Sequence, residues 1–94
     1  MTTLRIAPLG YEQITSLTAA AGLTVPTGAA LAIIRASTAA VRWRDDGVAP
    51  TTSVGMPMAT TDAPFEYSGN LSAIKFIAET GSPVLDVSYY RIAG

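Results

Sequence analysis

Val41-Arg42-Trp43-Arg44-Asp45-Asp46-Gly47 decides the fold class. Strand side chains alternate, so Val41 and Trp43 share one face while Arg42 and Arg44 share the other. Asp45-Asp46-Gly47 then supplies turn chemistry: short carboxylates able to bond their own backbone, followed by a residue free to take positive φ. Beyond it, Ala49-Pro50-Thr51-Thr52-Ser53-Val54-Gly55-Met56-Pro57 cannot continue as a long helix, because proline and glycine interrupt it repeatedly. A strand entering a tight turn predicts an all-β chain.

Working outward, turn residues recur at short, regular spacing. They are Pro8 with Gly10, Gly22, Pro26-Thr27-Gly28, Asp46-Gly47, Pro50, Gly55 with Pro57, Asp62 with Pro64, Ser68-Gly69-Asn70 and Gly81-Ser82-Pro83. Such punctuation predicts a sandwich or barrel of short strands. The expected strands are 4–7, 12–18, 23–25, 29–36, 40–44, 65–67, 73–78 and 84–91. The last is the clearest, with Leu85, Val87 and Tyr89 on one side and Val84, Asp86, Ser88 and Tyr90 on the other. Residues 73–78 set Ile74, Phe76 and Ala78 against Ala73, Lys75 and Ile77. The alanines of 29–43 also suit a helix. Against that stand isoleucine, valine, threonine and tryptophan, which favour strands, and the lack of a 3.6-residue apolar period. A short helix over 13–21 stays open. The expected architecture is a small antiparallel β-sandwich, jelly-roll-like, of about seven to eight short strands. It forms a single domain over 1–94, with 1–10 as a short N-terminal arm suited to inter-subunit contacts. Its expected core is Ile33, Val41, Trp43, Ile74, Phe76, Leu85, Val87 and Tyr89.

Composition narrows the chemistry. The chain has 94 residues, 49% of them apolar and only 14% charged, with net charge −1. That is too apolar for disorder and lacks the basic excess of a stand-alone nucleic-acid binder. It has no cysteine and no histidine, so disulfides, thiolate chemistry and the commonest general base and metal ligand are missing. Met1-Thr2-Thr3-Leu4-Arg5 lacks the apolar core of a signal peptide, and the apolar run 29–34 is too short to span a bilayer. Synthesis and retention in a cytoplasm, without membrane partners, is the expectation.

Individual residues add little catalytic promise. Asp45 and Asp46 suit a solvated turn better than a calcium site, which gathers six to eight oxygens. The scattered acids give no hint of a glycosidase pair. Arg42-Trp43-Arg44 resembles a phosphate-and-base reader, but alternation puts the tryptophan opposite both arginines. A core tryptophan is favoured, with Arg42 and Arg44 facing water or a carboxylate such as Asp45, Asp46 or Asp86 on the same or another copy. Tyr89 and Tyr90 point to opposite faces; Tyr90, the outward ring, serves equally a contact to sugar or a protein partner or a place under a loop. Ser37, Ser53 and Ser88 have no histidine to activate them, and Lys75, the only lysine, has no serine motif beside it. Met56 and Met58 suit a core edge. No enzyme activity, cofactor or metal is expected. Arg42, Arg44, Asp45, Asp46, Gly47 and Tyr90 form the candidate turn and interface set.

Several segments together resemble a known group. They are Leu23-Thr24-Val25-Pro26-Thr27-Gly28-Ala29 with the strand 30–36, Ala40 to Gly47, Pro50 to Pro57, Ser72-Ala73-Ile74-Lys75-Phe76-Ile77 and Val84 to Arg91. In this order, over about residues 11–91, the chain resembles small proteins encoded among the head and structural genes of tailed bacteriophages and prophages. The resemblance implies a virion structural protein: capsid decoration, cement or head fibre. Its implied partners are other copies of itself, preferably as a trimer, and the major capsid or another virion protein. Its implied location is the virion, after synthesis in the bacterial host cytoplasm. The alternative is a host-surface or saccharide-binding module at a neck or tail position. No catalytic residue is transferred.

Overall fold

Alternation of apolar and polar side chains gives eight strands, described here from a computed structural model over residues 5–92. They are β1 (Ile6–Ile14), β2 (Ala21–Gly22), β3 (Leu31–Ser37), β4 (Val41–Arg44), β5 (Met56–Met58), β6 (Phe65–Tyr67), β7 (Lys75–Ala78) and β8 (Val84–Ile92). No helix forms among the described residues, which removes the helical readings of 13–21 and 29–43. Residues 1–4 of the expected arm lie outside the described residues, and 6–10 belong to β1.

The strands make two four-stranded antiparallel sheets, β1-β8-β3-β6 and β2-β7-β4-β5. The pairing is nested: β1 with β8, β2 with β7, β3 with β6, β4 with β5. A long antiparallel ribbon rolled on itself produces that order, with β3·β8 and β4·β7 as the contacts made by rolling. This is an eight-stranded jelly roll, as the sequence predicts.

Between the sheets lies one core. Ile34, Val41, Ile74, Phe76, Leu85 and Val87 have no exposed surface, and Tyr89 is almost as deep. Ile33, expected there, is a correction. In β3 the inward residues are Ala32, Ile34 and Ala36, and Ile33 sits half-buried on the outer face between Ser88 and Glu66. A continuous apolar run carries no parity of its own; its pairing partners set which face points in.

Other corrections concern boundaries. The expected breaks at Pro8 and Gly10 do not end a strand; β1 runs through them, and a register shift between the two absorbs the irregularity. It also stops at Ile14, short of the expected 12–18. Residues 23–25 are not a strand; the pairing falls on Ala21 and Gly22, opposite Phe76 and Lys75. The turn expected at Gly55 with Pro57 runs into an edge strand on β4, Met56-Pro57-Met58; of the two methionines expected at a core edge, Met58 is buried there and Met56 is exposed. Proline is tolerated there because an edge strand has one side without a ladder.

One flank of the sandwich is latched. Glu12 on β1 accepts the Tyr89 hydroxyl and the Thr24 backbone N–H, the latter at 2.9 Å. The Ala78 N–H donates to Leu17 carbonyl at 2.8 Å. Burial, then the Glu12 bond, pushes the Tyr89 phenol well above its ordinary range. The other flank, where β5 and β6 are the edges, is open and carries the candidate site.

Candidate functional site

Trp43 has the parity of the core residue Val41, yet it is only half-buried. It lies near the end of β4, opposite Met56, which is 56% exposed and covers it poorly. The core placement expected for Trp43 is therefore corrected to the core's rim. Its ring stacks on Phe65 at 5.1 Å between centroids and meets Tyr67 edge-on at 6.3 Å. Phe65 and Tyr67 belong to β6 of the other sheet, so the stack joins the two sheets at their open flank. The spacing Phe65-Glu66-Tyr67 puts both rings on one face, a signal present in the sequence but too short to weigh alone. Tyr67 is buried, and its hydroxyl finds an acceptor in Asp45 Oδ2 at 2.7 Å. Burial first, then this bond, raises the Tyr67 phenol.

Residues 45–55 connect β4 to β5. Gly47 has φ 87°, as the turn reading predicts, but the turn opens a longer loop instead of closing a two-residue hairpin. Arg44 pairs with Asp46, its Nε donating to Oδ1 at 3.0 Å. That bond holds the Asp46 carboxyl below its ordinary value. Arg42 takes neither aspartate. Its guanidinium donates to Glu79 Oε1 and to the Gly55 carbonyl, both at 3.0 Å, and so ties the loop's far end to β4. Gly55 fills a tight place: φ is 144°, and a Cβ there would come within 3.1 Å of the Trp43 carbonyl oxygen. Held this way, the loop and the start of β5 present Val48, Val54 and Met56, each more than half exposed.

Two grooves flank Trp43. One, of about 400 Å³, lies against the loop and is lined by Trp43, Arg44, Asp45, Asp46, Val54, Gly55 and Met56. The second, of about 310 Å³, runs between the β5 and β6 edges, with Pro57, Pro64 and Phe65 on its walls and Asp62 and Glu66 at its rim. Arg44, Asp45 and Asp46 thus come together around Trp43, while Gly47 shapes the turn beyond them and lines neither groove.

Tyr90 does not join them. It is half-buried on the outer face of the other sheet, where the Ser88 hydroxyl donates to its oxygen at 3.2 Å. Asp86, expected as an arginine partner, instead accepts Tyr11 Oη at 2.8 Å and Gln13 Nε2 at 2.9 Å, with Ser37 Oγ 3.2 Å from its other oxygen. These bonds, Gln13 first, draw the Asp86 carboxyl below its ordinary value. Among the described residues no three acids gather closely enough to hold a metal ion.

The arrangement offers an aromatic and aliphatic contact surface with an ionic rim. No protein-family model, curated protein or solved structure matches the chain.

Proposed function

We propose that this chain is a structural protein of a tailed-bacteriophage virion, a decoration or cement protein that binds the outside of the head and stabilises it. The observation that carries the reading is the open flank around Trp43. An aromatic stack surfaces there between two sheet edges, beside a loop that presents Val48, Val54 and Met56. Contiguous exposed apolar surface marks interaction sites more often than chance. The jelly roll is an architecture used by viral capsid domains, among others. Because a fold alone assigns no function, the surface and the sequence resemblance supply the remaining support.

The physics suits the role. A domain this small buries only about 60–65% of its unfolded surface. Among the described residues it is stapled by neither disulfide nor metal site. Association supplies the missing burial. A shell binder also multiplies modest contacts through many linked copies. The proposed partners are other copies of the chain, as a trimer, and the major capsid protein. Particles purified from the phage or induced prophage that encodes the chain test the idea. Quantitative mass spectrometry should find it at fixed, high copy number, and its absence from intact particles sinks the proposal.

The groove of about 400 Å³ favours a second reading, a saccharide-binding module at a neck or tail position. Arg44, Asp45 and Asp46 surround one edge of Trp43 there, a polar rim beside an aromatic plane. A glycan array probed with recombinant protein decides it: binding lost in Trp43→Ala supports the module, and no binding at high micromolar concentration removes it.

A further inference from the structure

The β1/β8 pair outruns its sheet. β3 covers β8 only from Val84 to Tyr90. Past Tyr90 the ladder continues as two strands alone, Ala7 opposite Arg91 and Ile6 opposite Ile92. A bare two-stranded ribbon is marginal in water. This one ends in two exposed isoleucines, Ile6 at 41% and Ile92 at 54%. Beside them stand Arg5 and Arg91, both exposed and neither in an ion pair among the described residues.

The groove between β5 and β6 is its complement. Trp43, Met56, Pro57 and Phe65 make it apolar, and Asp62 and Glu66 close its rim. Neither carboxylate pairs with a cation among the described residues, whereas Asp46 and Glu79 do. Within one molecule the two features cannot meet. β3 stands between β8 and β6, and Phe65 lies opposite Ile34, itself opposite Val87. With sheet spacings of about 4.8 Å across strands and 3.3 Å along them, the ribbon tip is roughly 20 Å from the groove.

We propose that copies of this chain associate head to tail, the β1/β8 ribbon tip of one copy seated in the β5/β6 groove of the next. Ile6 and Ile92 enter the apolar floor, and Arg5 and Arg91 meet Asp62 and Glu66. Because the contact joins unlike surfaces, each copy has one of each to offer, and the chain closes into a ring or extends as a filament. The inference uses the same open flank as the virion reading, but its test concerns the isolated protein, so the two can fail separately.

Analytical ultracentrifugation of the purified chain tests it. Wild type should form concentration-dependent species larger than a dimer, weakened by added salt because the ion pairs sit at a rim. Arg5→Glu with Arg91→Glu blocks the tip, and Glu66→Arg blocks the groove. Each variant alone should self-associate at least tenfold more weakly, with circular dichroism and melting unchanged because the sites are exposed. Mixed one to one, the two variants should associate again, since an intact tip meets an intact groove and the reversed charges of the other tip and groove also match. Wild type that stays monomeric at millimolar concentration overturns the proposal. So does undiminished assembly of either folded variant, or a mixture that forms no pair.

Discussion

Trp43 separates what a residue is from where its strand ends. Its neighbour in parity, Val41, is wholly buried, yet two positions on the indole reaches solvent because β5 has run out of cover. Trp43→Ala should cost about 2–4 kcal/mol, toward the low side of large aromatic truncations because the ring is partly exposed. Part of that belongs to the stack with Phe65, so Trp43→Ala and Phe65→Ala should couple by about 0.5–1.5 kcal/mol in urea denaturation of single and double variants. Strict additivity would show that the rings contribute area alone. Asp86 makes a second prediction at this scale. Its folded carboxyl is held low by Gln13 and Tyr11, so its contribution to stability is present above the unfolded value near pH 4 and is lost as pH falls through the folded one. The melting temperatures of wild type and Asp86→Asn should differ near neutrality and converge in acid. A constant gap from pH 7 to pH 2 would assign the effect to something other than the charge.

Elements differ in how openly the sequence declares them. β8 is legible because alternation over Val84 to Tyr90 admits one parity. β7 is legible in part: Ile74, Phe76 and Ala78 are buried as their shared parity predicts, but the strand begins at Lys75, since the Ala73 and Ile74 N–H groups donate back to the Asn70 carbonyl, and Ile77 is buried as well. β3 is legible as a strand but not in its facing, since Leu31-Ala32-Ile33-Ile34 is apolar on both sides and only its neighbours choose. β1 and β5 hide behind proline. In β1 a bulge lets the chain continue past Pro8, and in β5 the edge position leaves Pro57 nothing to break. β2 is two residues long and exists only through its pairing with β7, a contact no local pattern encodes. The candidate site was half visible for related reasons. Arg44, Asp45, Asp46 and Gly47 are contiguous, whereas Phe65 and Tyr67 reach Trp43 across the sandwich. The loop between β4 and β5 depends on Gly55. Gly55→Ala should cost about 1–3 kcal/mol through its positive φ and its approach to the Trp43 carbonyl. Hydrogen exchange should show faster opening localised to 45–58, and a uniform change across the chain would count against that account.

Across the whole molecule, every native pair except β4 with β5 joins segments far apart in sequence, with β1 and β8 the extreme. Such topology makes folding slow, because distant segments must be brought together before their contacts form. Refolding should take milliseconds to seconds, and a microsecond phase carrying the full amplitude would contradict the nested pairing. That nesting has one more consequence. Ile6 faces Ile92, so the backbone enters and leaves the fold at a single point, while the opposite extreme of the ribbon is the surface loop 45–55. A circular permutant, with the old ends joined by a few glycines and new ends cut at Val48, would turn the ribbon inside out without removing a single ladder. It should fold to the same sandwich, and since β1 and β8 would then be a local hairpin, it should fold faster than its parent.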